Sequence, residues 1–370
     1  MFAEFFRRPR SASTAVVAWG GLLTVVGYAM FLAWVKAQIN DFYSRFYDLM
    51  QAAGTVDPEG MPGSGETTLG EYRDEVWAQL ARFATIVAPL VIASPAAKWV
   101  RSAWAFAWRA ALMRAYLEDW DTSKEPIEGA SQRLHEDTQR FANALQGCLA
   151  TMLDAAFTIG VFTPILLRLS RTVAPPVPLG VLEGGWLWML ALAAALVGLG
   201  GAATFGSRLV ALEVANQRVE AALRKDLVLL ETTPAVIVGS PEATSSSPNH
   251  FSPVLYFGLL FQRLRRNYHA LFRHFTLLNL WLSLFDQTMV IMPYLVAAPL
   301  LFDDDPARRI TLGTLVQMSN SFDKVFSSMS IIADNWGAVN EWRSVLHRLR
   351  EFEAKLYLHR PRAADHCLLP

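Results

Sequence analysis

Glu213, Gln217, Glu220 and Arg224 recur at i, i+4, i+7 and i+11 within the run Ser207 to Glu231. That run has no Pro and no internal Gly and is rich in Ala, Leu, Glu and Arg, which predicts a helix. At about 3.6 residues per turn the spacing puts the four polar side chains on one face. Leu212, Ala215, Val219, Ala222 and Leu223 form an apolar stripe beside them. Two readings fit the pattern. In one, Glu220 and Arg224 make an ordinary i,i+4 pair on a solvated face. In the other, the carboxylates face a low-dielectric cavity, where the cost of holding a charge lets them exchange protons near neutral pH.

Further acids stand in suggestive places. Asp154, Asp286 and Asp334 fall inside apolar runs, where ionisable groups are costly and either serve a pathway or pair with each other. For Asp286 a hydrogen-bonded contact between helices is the alternative. Glu136 and Asp137 either brace a bend in the chain or take part in the same proton chemistry. Asp323 and Lys324 are adjacent, so they point about 100° apart on a helix and are expected to make separate structural contacts. His135 and His274 are isolated, and a structural role is expected of both. Nothing pairs a nucleophile with a base or collects metal ligands. No phosphate-binding glycine loop is present. An enzyme, a cofactor and a nucleotide bound to this chain are therefore not expected. The formal net charge of zero gives no basis for a nucleic-acid partner.

The elements that must carry these groups are apolar. Of 370 residues 53% are hydrophobic and 18% charged, against about 25% charged in an ordinary soluble domain. Mean hydropathy is +0.25. The expected fold class is an all-α membrane protein with six long helices. The spans fall at about 14–35, 83–99, 145–167, 186–205, 275–302 and 312–336, within a single transmembrane domain, 14–352. The first run is too long for the core of a signal peptide. Residues 1–13 form an N-terminal segment and 353–370 a tail, and the Pro-, Ser- and Thr-rich stretch 232–255 reads as a mobile insertion. The Trp- and Arg-rich segment 99–120 reads as an interfacial belt. Gly198, Gly200 and Gly201 permit close helix packing. Cys148 and Cys367 are not expected to form a disulfide.

Lys and Arg counts orient the chain. With both termini inside, segments 1–13, 98–144, 206–273 and 339–370 hold 24 Lys and Arg, against 8 in 36–82, 168–185 and 303–310. The excess places both termini in the cytoplasm. The two long helical connections, between spans two and three and between spans four and five, then also lie in the cytoplasm. This is the layout of the type-1 exporter transmembrane domain of ABC transporters, whose helices extend past the bilayer.

Three segments in one order resemble the SbmA/BacA-like family of bacterial inner-membrane peptide-uptake proteins. They are Phe46-Tyr47-Asp48-Leu49, the run IEGASQRLHEDTQRFANAL from Ile127 to Leu145, and LEVANQRVEAALRKDL from Leu212 to Leu227. RRNYHALFRHF (Arg265 to Phe275) and ITLGTLVQ (Ile310 to Gln317) add to the likeness. The resemblance implies a homodimer in the bacterial inner membrane that imports peptides, antimicrobial and modified ones included, on the proton gradient and without its own ATPase. It implies proton coupling through acids along a cavity, which match Glu136, Glu213 and Glu220 here. Asp226 stands where the family pattern has Glu, and Gln146 replaces an expected Glu, so one rung of that acidic ladder is missing. The alternative function is the membrane half of an ABC transporter whose ATPase is a separate chain.

Overall fold

Apolar runs with few Gly and Pro fold into helices that satisfy every backbone donor and acceptor internally, as a bilayer demands. A computed structural model describes residues 12–55, 69–121, 130–173, 175, 184–232, 253–306 and 308–358, and among them there is no strand. The principal helices are α1 (Ala12–Ala53), α2 (Leu69–Asp121), α3 (Thr138–Thr172), α4 (Trp186–Thr232), α5 (Pro253–Ala297), α6 (Leu312–Asp334) and α7 (Trp336–Leu358). A short helical turn, Ala130–Gln132, and a π-helical turn, Arg133–Asp137, lead into α3.

The helices far exceed the apolar runs that nucleate them. α1 has 42 residues and α2 has 53, or about 63 and 80 Å at 1.5 Å per residue, against a hydrocarbon core of about 30 Å. Five helices are long and apolar enough to cross a membrane. They contain the first five expected spans. The sixth, α6, is not among them: it has 23 residues and is interrupted by Ser319, Asn320, Ser321, Asp323, Lys324, Ser327 and Ser328. The tail proves helical as far as Leu358. Most of the 232–255 insertion, the end of the tail, Cys367 and nearly all of 1–13 lie outside the described residues.

The chain divides into two units, 1–195 with 292–370, and 196–291. In the first, α1 packs on α2, α3 and α6, and α3 packs on α6 and α7. Its core gathers Trp104, Trp108, Leu112 and Tyr116 of α2 with Phe141 of α3 and Val345, Leu349, Phe352 and Leu356 of α7. The last four recur at i, i+4, i+7 and i+11, which gives the basic tail a buried apolar edge. One face of the Trp-rich segment is thus core rather than belt. Trp104 and Trp108 are buried while Trp99 is exposed. The Trp104 indole donates to the Ala18 carbonyl at 3.0 Å, and Gly21 leaves its ring room, since a Cβ there would sit 2.0 Å from it.

Two segments singled out in the sequence meet here. The Asp48 carboxylate accepts from the Gly313 N–H at 2.8 Å, and Gln51 accepts from the Leu312 N–H at 2.8 Å. They satisfy donors that the first turn of α6 would leave open. A Cβ at 313 would strike the Ser44 carbonyl at 2.0 Å, which is why this position is glycine.

The second unit pairs the C-terminal part of α4 with most of α5. Gly198 and Gly201 receive the Phe285 and Trp281 rings, whose atoms lie 2.5 and 2.1 Å from where a Cβ would be, whereas Gly200 faces open space. Two of the three glycines therefore provide the close packing.

Candidate functional site

In the second unit α4 carries Glu213, Gln217, Glu220 and Arg224, all exposed. Glu220 accepts a short hydrogen bond from the Tyr268 hydroxyl of α5. Buried Asn216 and exposed Glu213 lie near the same hydroxyl. Among the described residues Glu220 thus takes its partner from across the helix pair rather than from Arg224 one turn along. Sequence spacing identified the carboxylates. It could not identify Tyr268, which is 48 residues away. Asp226 lies on α4, but its side chain is outside those described. Asp286, on α5, is exposed.

The first unit treats its acids differently. Asp154 of α3 accepts from the Lys36 ammonium of α1 at 2.7 and 2.9 Å, and Thr158 lies 3.2 Å from the same nitrogen. Asp137 is buried at 2% exposure between Arg133 at 2.6 Å and Arg348 of α7 at 2.9 Å. That pair of guanidiniums ties the π-helical turn to the tail. Glu136 is held at 2.6 Å by Arg140 and at 3.2 Å by Gln132. The Arg109 guanidinium donates to the His135 carbonyl at 3.2 Å. Lys36 and Arg348 were not singled out by sequence reasoning. The available signals were a lysine closing the first apolar run and a heptad-like apolar edge in the tail.

Beside these pairs a cleft of about 410 Å³ opens between α3 and the α6–α7 junction, lined by Arg140, Asn143, Cys148, Thr151, Asn335 and Glu341 among others. Its amides, hydroxyl and opposite charges can hydrogen-bond polar groups of a solute. Gln146 is half-buried on the same helix, and Cys148 is a free thiol. A smaller cleft of about 240 Å³ lies against Tyr28, Arg101, Thr151 and Asp154. Arg101 stacks on the Tyr28 ring at 5.8 Å. Among the described residues no three His, Cys, Asp or Glu side chains gather as a metal site requires.

Five helices long and apolar enough to cross a membrane mark a polytopic membrane protein. The chain belongs to the SbmA/BacA-like family, whose model matches residues 13–357. It is also 25% identical over 250 residues to a protein of Synechocystis sp. described as an uncharacterized ABC transporter ATP-binding protein. That match covers 65% of this chain and 33% of the relative, so the likeness spans about a third of the relative's length.

Proposed function

We propose that the chain imports peptides across the bacterial inner membrane as a homodimer driven by the proton gradient, with both termini in the cytoplasm and no catalytic chemistry of its own. The observation that carries the reading is the Glu220–Tyr268–Asn216 cluster with Glu213 two helical turns away. These carboxylates sit on a helix that grows directly out of an apolar span, and among the described residues no cation pairs with Glu220. A carboxylate whose partner is a neutral hydroxyl can be protonated without stranding a buried cation, which suits a group that must cycle between charged and neutral forms. At 1.5 Å per residue Glu213 and Glu220 lie about 10 Å apart along the helix, a separation that water can bridge. Each copy contributes one such stripe, and a second copy related by two-fold symmetry would complete an enclosed cavity.

The test is uptake of labelled peptide into proteoliposomes under an imposed proton gradient, without ATP. Uptake is expected in the wild type. Glu213→Gln and Glu220→Gln should lose gradient-driven uptake and shift its pH dependence while keeping protein level and dimerisation. If both variants transport like the wild type, the carboxylate mechanism is wrong. A second reading is favoured by the Synechocystis relative, which is about three times as long as the shared region and carries an ATP-binding description. On that reading the chain is the membrane half of a transporter whose ATPase is a separate chain, and uptake would require ATP and that partner.

A further inference from the structure

The outer surface of α5 is divided into two stripes of opposite character. The helix is continuous from Pro253 to Ala297, so directions follow at about 100° per residue. One side carries Trp281 and Phe285, which pack on Gly201 and Gly198 of α4. Next around the helix come Leu277, Leu280, Leu284, Ile291 and Leu295, all 43–65% exposed. They form a strip suited to acyl chains. Beyond it, on the remaining quadrant, come Thr276, Asn279, Ser283, Asp286 and Gln287, also exposed, and past Gln287 the same face continues as exposed Val290 and Tyr294. The Thr276 hydroxyl donates to its own helix at the Phe272 carbonyl, 2.8 Å away. Asn279, Ser283, Asp286 and Gln287 have no hydrogen-bond or ion-pair partner among the described residues.

Depth makes this second stripe unusual. Asp286 lies 11 residues from Phe275, where the apolar run begins, and 11 from the end of α5 at Ala297. That is about 16 Å either way, near the middle of a hydrocarbon core of about 30 Å. Four open polar groups, one of them a carboxyl, are not stable against lipid at that depth. The acyl strip beside them already satisfies the helix's contact with lipid. The polar stripe also shares its direction with Tyr268, five turns toward the cytoplasm from Asp286, with Phe272 between Tyr268 and Thr276. It therefore leads from the mid-bilayer level to the hydroxyl that holds Glu220.

We propose that the stripe Thr276, Asn279, Ser283, Asp286 and Gln287 forms one wall of the aqueous path by which solute crosses the bilayer, with Asp286 as its mid-depth carboxyl. The proposal rests on the transport reading above and deepens it. It adds a polar wall in the fifth helix to the carboxylates of the fourth, and it assigns recognition to uncharged amide and hydroxyl groups. Those groups can exchange hydrogen bonds with a peptide backbone whatever its side chains.

Single cysteines at 279, 283 and 287, and at 280 and 284 on the acyl strip, test it in a Cys148→Ser, Cys367→Ser background. The protein is reconstituted in phosphatidylethanolamine–phosphatidylglycerol vesicles and treated with a membrane-impermeant methanethiosulfonate. Only a thiolate in water reacts readily, so the stripe positions should be modified at least about tenfold faster than the strip positions. Equal rates on the two strips would overturn the proposal. So would disulfides between copies at 279, 283 or 287 with no modification, because the stripe would then be a sealed contact with a second copy. Asp286→Asn should keep the labelling pattern and slow peptide uptake; unchanged uptake would remove Asp286 from the path. Labelling as expected with no peptide uptake by the wild type would leave the path standing and reject the peptide reading. Peptide uptake with equal labelling would reject the stripe alone.

Discussion

The two units handle carboxylates in opposite ways. In the first, three of the acids weighed for proton chemistry are bound to cations: Asp154 to Lys36, Asp137 to Arg133 and Arg348, Glu136 to Arg140. In the second, Glu220 is bound to a phenol and Asp286 has no partner among the described residues. An ion pair that runs between helices, as Asp154–Lys36 and Asp137–Arg348 do, ties them together. Glu220 and Asp286 have no such cation among the described residues. The same residue type thus braces one unit and is left available in the other.

The largest effect is expected at Asp137. Removing one partner of a buried ion pair strands the other charge, at about 3–5 kcal/mol. Both arginines are partly exposed, so Asp137→Ala is expected at the lower end, about 3 kcal/mol. Thermal unfolding in detergent should show it as a marked fall in melting temperature, and an unchanged melting curve would deny the brace.

Lys36 and Asp154 come next. Lys36→Met leaves the carboxyl unpaired within the helix bundle, and Lys36→Met with Asp154→Leu should recover part of the loss. Contacting residues show coupling of about 0.5–3 kcal/mol in such cycles, and about 2 kcal/mol is expected here. Additive single and double variants would mean that the pair does not hold α1 to α3.

A smaller effect is expected at the start of α6. Asp48→Ala should cost about 1 kcal/mol, the usual worth of a capping side chain, and should raise hydrogen exchange at 312–315. The smallest effects sharpen the contrast. Arg140→Ala removes a half-exposed pair worth under about 1 kcal/mol. Glu220→Gln should change stability by about 0.5 kcal/mol or less, because an amide oxygen can still accept from Tyr268. A large destabilisation by Glu220→Gln would place this acid with the braces of the first unit.

Much of this was legible in the chain. Apolar runs longer than a bilayer is thick fix the membrane class and five of the crossings, because hydrocarbon leaves the backbone no partner but its own helix. The 3.6-residue period placed Glu213, Gln217, Glu220 and Arg224 on one face of a helix, and they are exposed together. The glycines at 198 and 201 announced a close approach. α6, expected as a sixth span, is less apolar than the other five.

The partners were decided only by the tertiary structure. Lys36 meets Asp154 across 118 positions, Arg348 meets Asp137 across 211, and Tyr268 meets Glu220 across 48. Periodicity reports which face a residue occupies and is silent about what stands opposite. For that reason two of the expected belt tryptophans, Trp104 and Trp108, proved to be core, covered by helices far away in sequence. The same reason governs the acids. Whether a carboxylate is a brace or a proton site depends on the charge of the group facing it, and folding alone brings that group into place.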